Sequence, residues 1–229
     1  FDRSAYWLAA LADAGIEVSA GLVVFDDGRM TEAARIWFLL QHLGLHCRVL
    51  NGGSPALLTL HQALDGHRRP PLPPGAPSAG NTAQVNWVDR AALQADLAAG
   101  RIQVLDCRTA DEWSGANRRD NPRAGHLPGS CLLPHTDLLN GNRLKPPGTL
   151  RRLLEDAGLD PRRGAIISLC NGGGRAALAA LAAVHAGFDP IRLYYRGFAD
   201  WARDPDCPLV QGMSSTGYSG PSGSDGCRR

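Results

Sequence analysis

An internal repeat constrains this chain more than any single motif does. Residues 22–28, LVVFDDG, match 166–172, IISLCNG, each a short apolar run of strand type that leads into a turn. An Ala-rich helical pattern follows in both copies, AARIWFLLQHLG and RAALAALAAVHAG, and stops at Gly44 and Gly187 as a C-terminal cap requires. A second apolar strand comes next, RVL at 48–50 and IRLYY at 191–195, closing on Gly53 and Gly197. The offset from Asp26 to Cys170 is 144, and from Gly53 to Gly197 it is again 144. Strand, helix, strand in that order predicts parallel strands joined by right-handed crossovers. IQVLDCR (102–108) reads as a further strand of the second copy, and AGHLPGSCLLP (124–134) as a turn with another short strand. The class is α/β, two tandem domains that are each a mainly parallel sheet flanked by helices.

The first copy occupies 1–64. Arg68 to Asn81 reads RRPPLPPGAPSAGN, too dense in Pro and Gly for helix or strand, so 65–84 is a linker stiffened by polyproline II preference. The second unit runs over 85–212, and the Ser/Gly-rich 213–229 reads as a disordered tail. A counterpart of Trp87 would fall before Phe1, and the chain opens inside a helical pattern without Met, charged n-region or cleavage site. The reading is therefore a chain lacking its natural start, with the first domain incomplete.

Composition narrows the function classes. Hydrophobic residues at 44% and charged residues at 20% fit a packed globular chain. Net charge is +2, in scattered Arg-Arg pairs without a basic run, so nucleic-acid binding has no electrostatic support. No apolar stretch approaches the roughly 18 residues of a membrane span. Six cysteines, without a C-x-x-C pair or a His cluster, imply neither metal nor cofactor and point to a reducing, cytoplasmic compartment. Cys107 and Cys131 lie in apolar runs and read as small buried hydrophobes.

Cys170 is the exception. It ends the strand AIISL, and the loop NGGGR leads from it straight into a helix. Three glycines permit a tightly curled backbone whose amides point inward, an anion cradle at a helix N-terminus. Such a place favours the thiolate form of a cysteine. Arg175, five positions on, adds a fixed cation. Gly172-x-Gly174-x-x-Ala177 also fits a dinucleotide fingerprint, but no acidic residue ends IRLYY to meet a ribose. A Walker loop would need Gly-Lys-Ser/Thr, which is missing. A purely structural cysteine leaves the glycine density and Arg175 unexplained.

With VLDCRTADEW (104–113), RDNPRAGHLPG (119–129), CNGGGR (170–175) and YYRGFADW (194–201), plus FDDGRMTEAARIWFLL and RVLNGG in the first copy, the chain resembles a known family. These are the two-domain rhodanese-type sulfurtransferases, which include thiosulfate and 3-mercaptopyruvate sulfurtransferases. The resemblance runs from Phe1 to about Val210. It implies tandem rhodanese-like domains with the reactive cysteine in the second and a degenerate first copy, in keeping with Asp26 at the station of Cys170. It also implies double displacement: Cys170 takes sulfur from a small anionic donor as a persulfide and passes it to a thiol or cyanide acceptor.

By the same resemblance Arg108 and Arg119 match anion-binding arginines, and Asn171, Gly172, Gly173, Gly174 and Arg175 line the substrate. Asp106 and Glu112 are expected to position Arg108 or cap neighbouring structure. His126 and Pro128 are expected to shape a turn, and Trp37, Trp113 and Trp201 to pack in the core. The loop departs from both named subtypes. Thiosulfate-specific members tend to carry basic residues soon after the cysteine, and mercaptopyruvate-type loops a Ser where Gly172 stands, so the donor stays open. Two alternatives remain: a cysteine phosphatase, whose Cys-x5-Arg ring is one residue longer, and a non-catalytic binding module, against which the intact Cys170 argues.

Overall fold

The computed structural model describes residues 4–18, 21–64 and 84–212. Nearly all of the expected linker and the whole expected tail, with Cys227, lie outside them. The chain divides into two compact units, Phe1–Gln84 with Gly141–Leu144, and Val85–Asn140 with Lys145–Arg229. Counting Gly141–Leu144 with the first unit departs from the expected 85–212 boundary. Its physical reason is a set of side-chain clasps: Leu144 N–H donates to Asn51 Oδ1 at 2.7 Å, and Asn142 Nδ2 donates to Gly52 O at 2.9 Å.

The first unit carries α1 (Ser4–Asp13), β1 (Leu22–Val24), α2 (Thr31–His42), β2 (Cys47–Val49) and α3 (Gly53–Leu64). β1 and β2 pair in parallel, as the strand–helix–strand reading requires. Trp37 and Phe38 of α2 are buried.

The second unit opens with β3 (Val85–Trp87), α4 (Arg90–Ala98), β4 (Ile102–Asp106), α5 (Ala110–Ser114) and β5 (Cys131–Leu132). A 3-10 turn (His135–Leu138) and the short β6 (Leu139–Asn140) follow, and after β7 (Arg143–Leu144), which counts with the first unit, comes α6 (Pro147–Asp156). Then come β8 (Ala165–Leu169), α7 (Gly174–His185), β9 (Ile191–Leu193) and α8 (Gly197–Trp201). Five strands form one parallel sheet in the order β3-β9-β8-β4-β5.

Strand β8 shows how the sequence builds the layers. Alternate residues face opposite sides: Ile167 and Leu169 join a core with Leu93 of α4 and Phe198 and Trp201 of α8. Ser168 faces the other way, where its Oγ donates to Ala176 O at 3.1 Å. That side is covered by α7, whose Ala179, Ala180, Ala182 and Ala183 are buried and small enough for close approach to the sheet. Each fully buried Leu, Ile or Phe contributes roughly 1.5–3 kcal/mol. Among the described residues no helix is long and apolar enough to cross a membrane.

The two copies agree in backbone detail. Tyr194 N–H donates to Ser168 O at 3.0 Å, and Leu50 N–H to Val24 O at 2.9 Å, the same bond at the same offset. Gly197 and Gly53 both have positive φ, 66° and 61°. A Cβ on Gly197 would collide with the carbonyl oxygens of Cys170 and Asn171, and one on Gly53 with the Asp26 carbonyl. One difference separates the copies. Helix α2 starts five residues after Asp26, whereas α7 starts four after Cys170, so the first loop is one residue longer.

Candidate active site

Cys170 follows the C-terminal end of β8, where an open parallel sheet places its ligand-binding loops. Its Sγ accepts the Gly173 amide at 3.1 Å, and the residue is 2% exposed. The loop is fixed from behind by Phe198 N–H, which donates to Cys170 O at 2.7 Å. Of the three glycines only Gly173 uses its freedom, at φ 93°, where a side chain would meet the Tyr195 backbone and ring. Gly174 is already the first residue of α7 and needs no unusual φ. Gly172 does different work, because a Cβ there would meet nothing within 4 Å. Its lack of a side chain leaves the mouth of the loop uncovered.

The first copy shows the same cradle filled. Asp26 Oδ1 accepts the amides of Gly28 and Met30 at 2.9 and 3.0 Å, and Oδ2 those of Glu32 and Ala33 at 3.1 and 3.2 Å. The carboxylate occupies the anion position with its own charge, and a side chain so engaged offers no nucleophile.

The arginines divide into two kinds. Arg108 is 1% exposed, and its Nε and Nη2 grip Asp106 at 2.7–3.0 Å while Nη2 also donates to Gly125 O at 2.8 Å. Its guanidinium lies 3.8 Å from the Phe198 ring centroid. With these contacts Arg108 holds the GHLPG turn and the end of β4 together. The expectation that it meets the substrate therefore does not fit where it lies.

Arg175 and Arg119 converge instead on Glu112. Arg175 donates to Oε2 at 2.6 Å and to Oε1 at 3.0 Å, and Arg119 Nη1 donates to Oε1 at 3.3 Å. Glu112 thus serves Arg175 and Arg119, while Asp106 is the residue that holds Arg108. The capping expectation also fits, since Glu112 closes a capping box with Thr109 at the start of α5. Burial works to raise the Glu112 pKa, but the Arg175 hydrogen bond and charge, with Thr109 and Arg119, push it down to about 2. On Arg175 burial disfavours the cation, yet the bond to Glu112 and the nearby Cys170 charge raise its pKa above the ordinary value.

Asn171, next to Cys170, is held by Asn121, whose Nδ2 donates to Asn171 Oδ1 and to Arg118 O, both at 2.9 Å. Sequence reasoning passes over Asn121, and nothing in RDNPR marks it out. It also passes over Arg123, whose guanidinium donates to the carbonyls of Trp201, Ala202, Asp204 and Cys207. His126 is structural, stacked on Trp113 with centroids 3.5 Å apart and Nδ1 2.9 Å from Trp113 O. Trp113 and Trp201 are buried as expected.

His135 follows β5, and its pKa is lowered by burial and by the Arg175 charge. Burial pushes Cys47 up to about 11, and burial followed by the Cys170 charge holds Cys107 well above its ordinary value. Among the described residues no group of three or more His, Cys, Asp or Glu could hold a metal ion.

A rhodanese-like domain matches residues 89–204. Thiosulfate sulfurtransferase of Pseudomonas aeruginosa is 30% identical over 88% of this chain and 73% of its own length. A probable 3-mercaptopyruvate sulfurtransferase of the same organism is 32% identical over 86% of this chain and 70% of its own. Among solved structures, the 3-mercaptopyruvate sulfotransferase SseA from Escherichia coli superposes with TM-score 0.66 at 25% identity, covering 86% of this chain and 73% of SseA. An anaerobic ergothioneine biosynthesis enzyme from Chlorobium limicola superposes at 0.71 with 20% identity over 89% of this chain. The chain spans about half of that protein, 54% of its length, and the likeness shows the fold alone.

Proposed function

From the premise that this chain belongs to the rhodanese-like domain family, as an enzyme of the sulfurtransferase type, we propose that it moves sulfane sulfur through a persulfide on Cys170. The donor is a small anion, thiosulfate or 3-mercaptopyruvate, and the acceptor a thiol or cyanide. The observation that carries this is the hydrogen bond from Gly173 N–H to Cys170 Sγ at 3.1 Å, at the N-terminus of α7 beside Arg175.

The chemistry balances. The Cys170 thiolate attacks the outer sulfur of thiosulfate, the S–S bond breaks, and sulfite leaves with the electron pair. With 3-mercaptopyruvate the C–S bond breaks, and the leaving pyruvate enolate takes up a proton. The persulfide holds one sulfur atom and one negative charge, which the loop amides and the end of α7 are suited to stabilise. An acceptor thiolate or cyanide then attacks the outer sulfur, and the Cys170 thiolate is released for a second turnover. Cys170 is the catalytic residue. Arg119 and Arg175 receive the donor anion, Gly172 leaves its approach open, and Arg108 holds the GHLPG turn to the end of β4.

Steady-state thiocyanate formation from cyanide tests the assignment. Parallel double-reciprocal lines are expected, as for ping-pong transfer, with activity falling to background in Cys170→Ser. Cys47→Ser, Cys107→Ser and Cys131→Ser are expected to stay active. An inactive but folded variant among these three would show the wrong thiol had been chosen.

A further inference from the structure

One carboxylate, Glu112, is shared between two guanidiniums, and one of these, Arg175, interacts with the charge of Cys170. Glu112 is 4% exposed, Arg175 16% and Arg119 50%. Arg175 spends both terminal nitrogens on Glu112, whereas Arg119 gives it a single nitrogen at 3.3 Å. The half-exposed Arg119 guanidinium therefore keeps donors for an incoming anion.

Arg119 is also placed with care. Its φ is 53°, left-handed for a residue with a side chain, and Arg119 is one of only two such non-glycine residues among those described. A backbone so strained persists where neighbours over-determine it. Asn117 Oδ1 accepts the Arg119 amide at 3.0 Å, and Asn121 Nδ2 bonds Arg118 O and Asn171 Oδ1 at 2.9 Å each. The turn that carries Arg119 is thereby tied to the loop that carries Cys170.

Two guanidiniums and one ionised carboxylate sum to a single positive charge, which the attacking Cys170 thiolate cancels. The buried Arg108–Asp106 pair adds none, and His135 adds none while it is neutral. Glu112 repels each negative charge that a donor brings, so its cost falls once on a monoanion and twice on a dianion. Resting on the sulfurtransferase reading, we propose that Glu112 is the positioning residue that sets donor preference. It holds Arg175 and Arg119 together and subtracts one charge, so the site favours a monoanionic mercapto-carboxylate such as 3-mercaptopyruvate over dianionic thiosulfate.

The test is kcat/KM for both donors, with cyanide as acceptor, in the wild-type protein and two variants. Glu112→Gln removes the charge but keeps a side chain that can close the capping box. It is expected to shift the donor ratio toward thiosulfate by about tenfold, through the thiosulfate KM. Glu112→Asp keeps the charge and is expected to keep the wild-type preference for 3-mercaptopyruvate. A purely structural role would lower both donors together in both variants, and an unchanged ratio in Glu112→Gln overturns the assignment. Arg119→Gln, a change on a half-exposed side chain, gives an independent reading. It is expected to raise KM for 3-mercaptopyruvate with kcat retained, and an unchanged KM overturns the assignment too. A wild-type protein that transfers sulfur from neither donor overturns the sulfurtransferase reading itself, an outcome distinct from an active protein with an insensitive ratio.

Discussion

Asp26 and Cys170 hold one station in two copies of the same unit. The Asp26 carbonyl accepts Ser54 N–H at 2.8 Å and the Cys170 carbonyl accepts Phe198 N–H at 2.7 Å, while Gly53 and Gly197 press against those carbonyls from the same side. The side chains differ in consequence. One is a carboxylate that accepts four backbone amides, and the other a thiol whose sulfur accepts one, that of Gly173.

Both glycines are therefore testable by one substitution. Gly197→Ala introduces a Cβ where the Cys170 and Asn171 carbonyls lie, at a φ that side chains disfavour. It is expected to cost about 1–3 kcal/mol and to depress sulfur transfer by displacing the loop. Gly53→Ala should carry a similar stability cost in the first unit. Equal activity of Gly197→Ala and wild type would mean that Gly197 does not shape the Cys170 loop.

Asp26→Ala strips four amides of their acceptor. A loss of about 1–3 kcal/mol is expected, together with faster hydrogen exchange at Gly28, Met30, Glu32 and Ala33. Unchanged exchange at these amides would contradict the filled cradle.

Arg108→Lys keeps the charge but loses the fork that grips Asp106 and Gly125. Breaking a buried pair costs about 3–5 kcal/mol when a partner is removed, so a clear drop in unfolding midpoint is expected. KM for the donor in the folded fraction should hardly move. A raised KM without loss of stability would return Arg108 to the substrate.

Acid stability should carry the mark of Glu112. Its pKa is about 2 in the folded protein against an ordinary 4.5. A depressed folded value gives stability that is complete above the unfolded value and lost as pH falls through the folded one. The shift corresponds to roughly 3 kcal/mol. Denaturant unfolding of wild type and Glu112→Gln should show a gap that is widest near pH 6 and closes toward pH 2. A gap independent of pH would remove Glu112 from the linkage.

Much of this arrangement is legible in the chain because the repeat is carried by backbone demands. Gly53 and Gly197 cannot bear a side chain, and the apolar runs before Asp26 and Cys170 must be strands, so the copies align without any structure. Arg175 is legible by chemistry and spacing, and Arg119 only through the family resemblance. The role of Arg108 is not, since an arginine at the end of a strand reads the same whether it meets solvent, substrate or Asp106. Glu112 is legible as a cap through Thr109 three residues earlier, but its partner Arg175 lies 63 positions away, and no local pattern records that meeting. Asn121 is hidden for the same reason, its Asn171 partner standing 50 positions on.

The central claim is that Cys170 holds the sulfur in transit, and intact mass after incubation with each donor, followed by peptide mapping, tests it most directly. The account predicts a gain of about one sulfur atom on Cys170, removed by cyanide and larger with 3-mercaptopyruvate than with thiosulfate. A folded protein that gains no mass from either donor, or gains it on another cysteine, would contradict it.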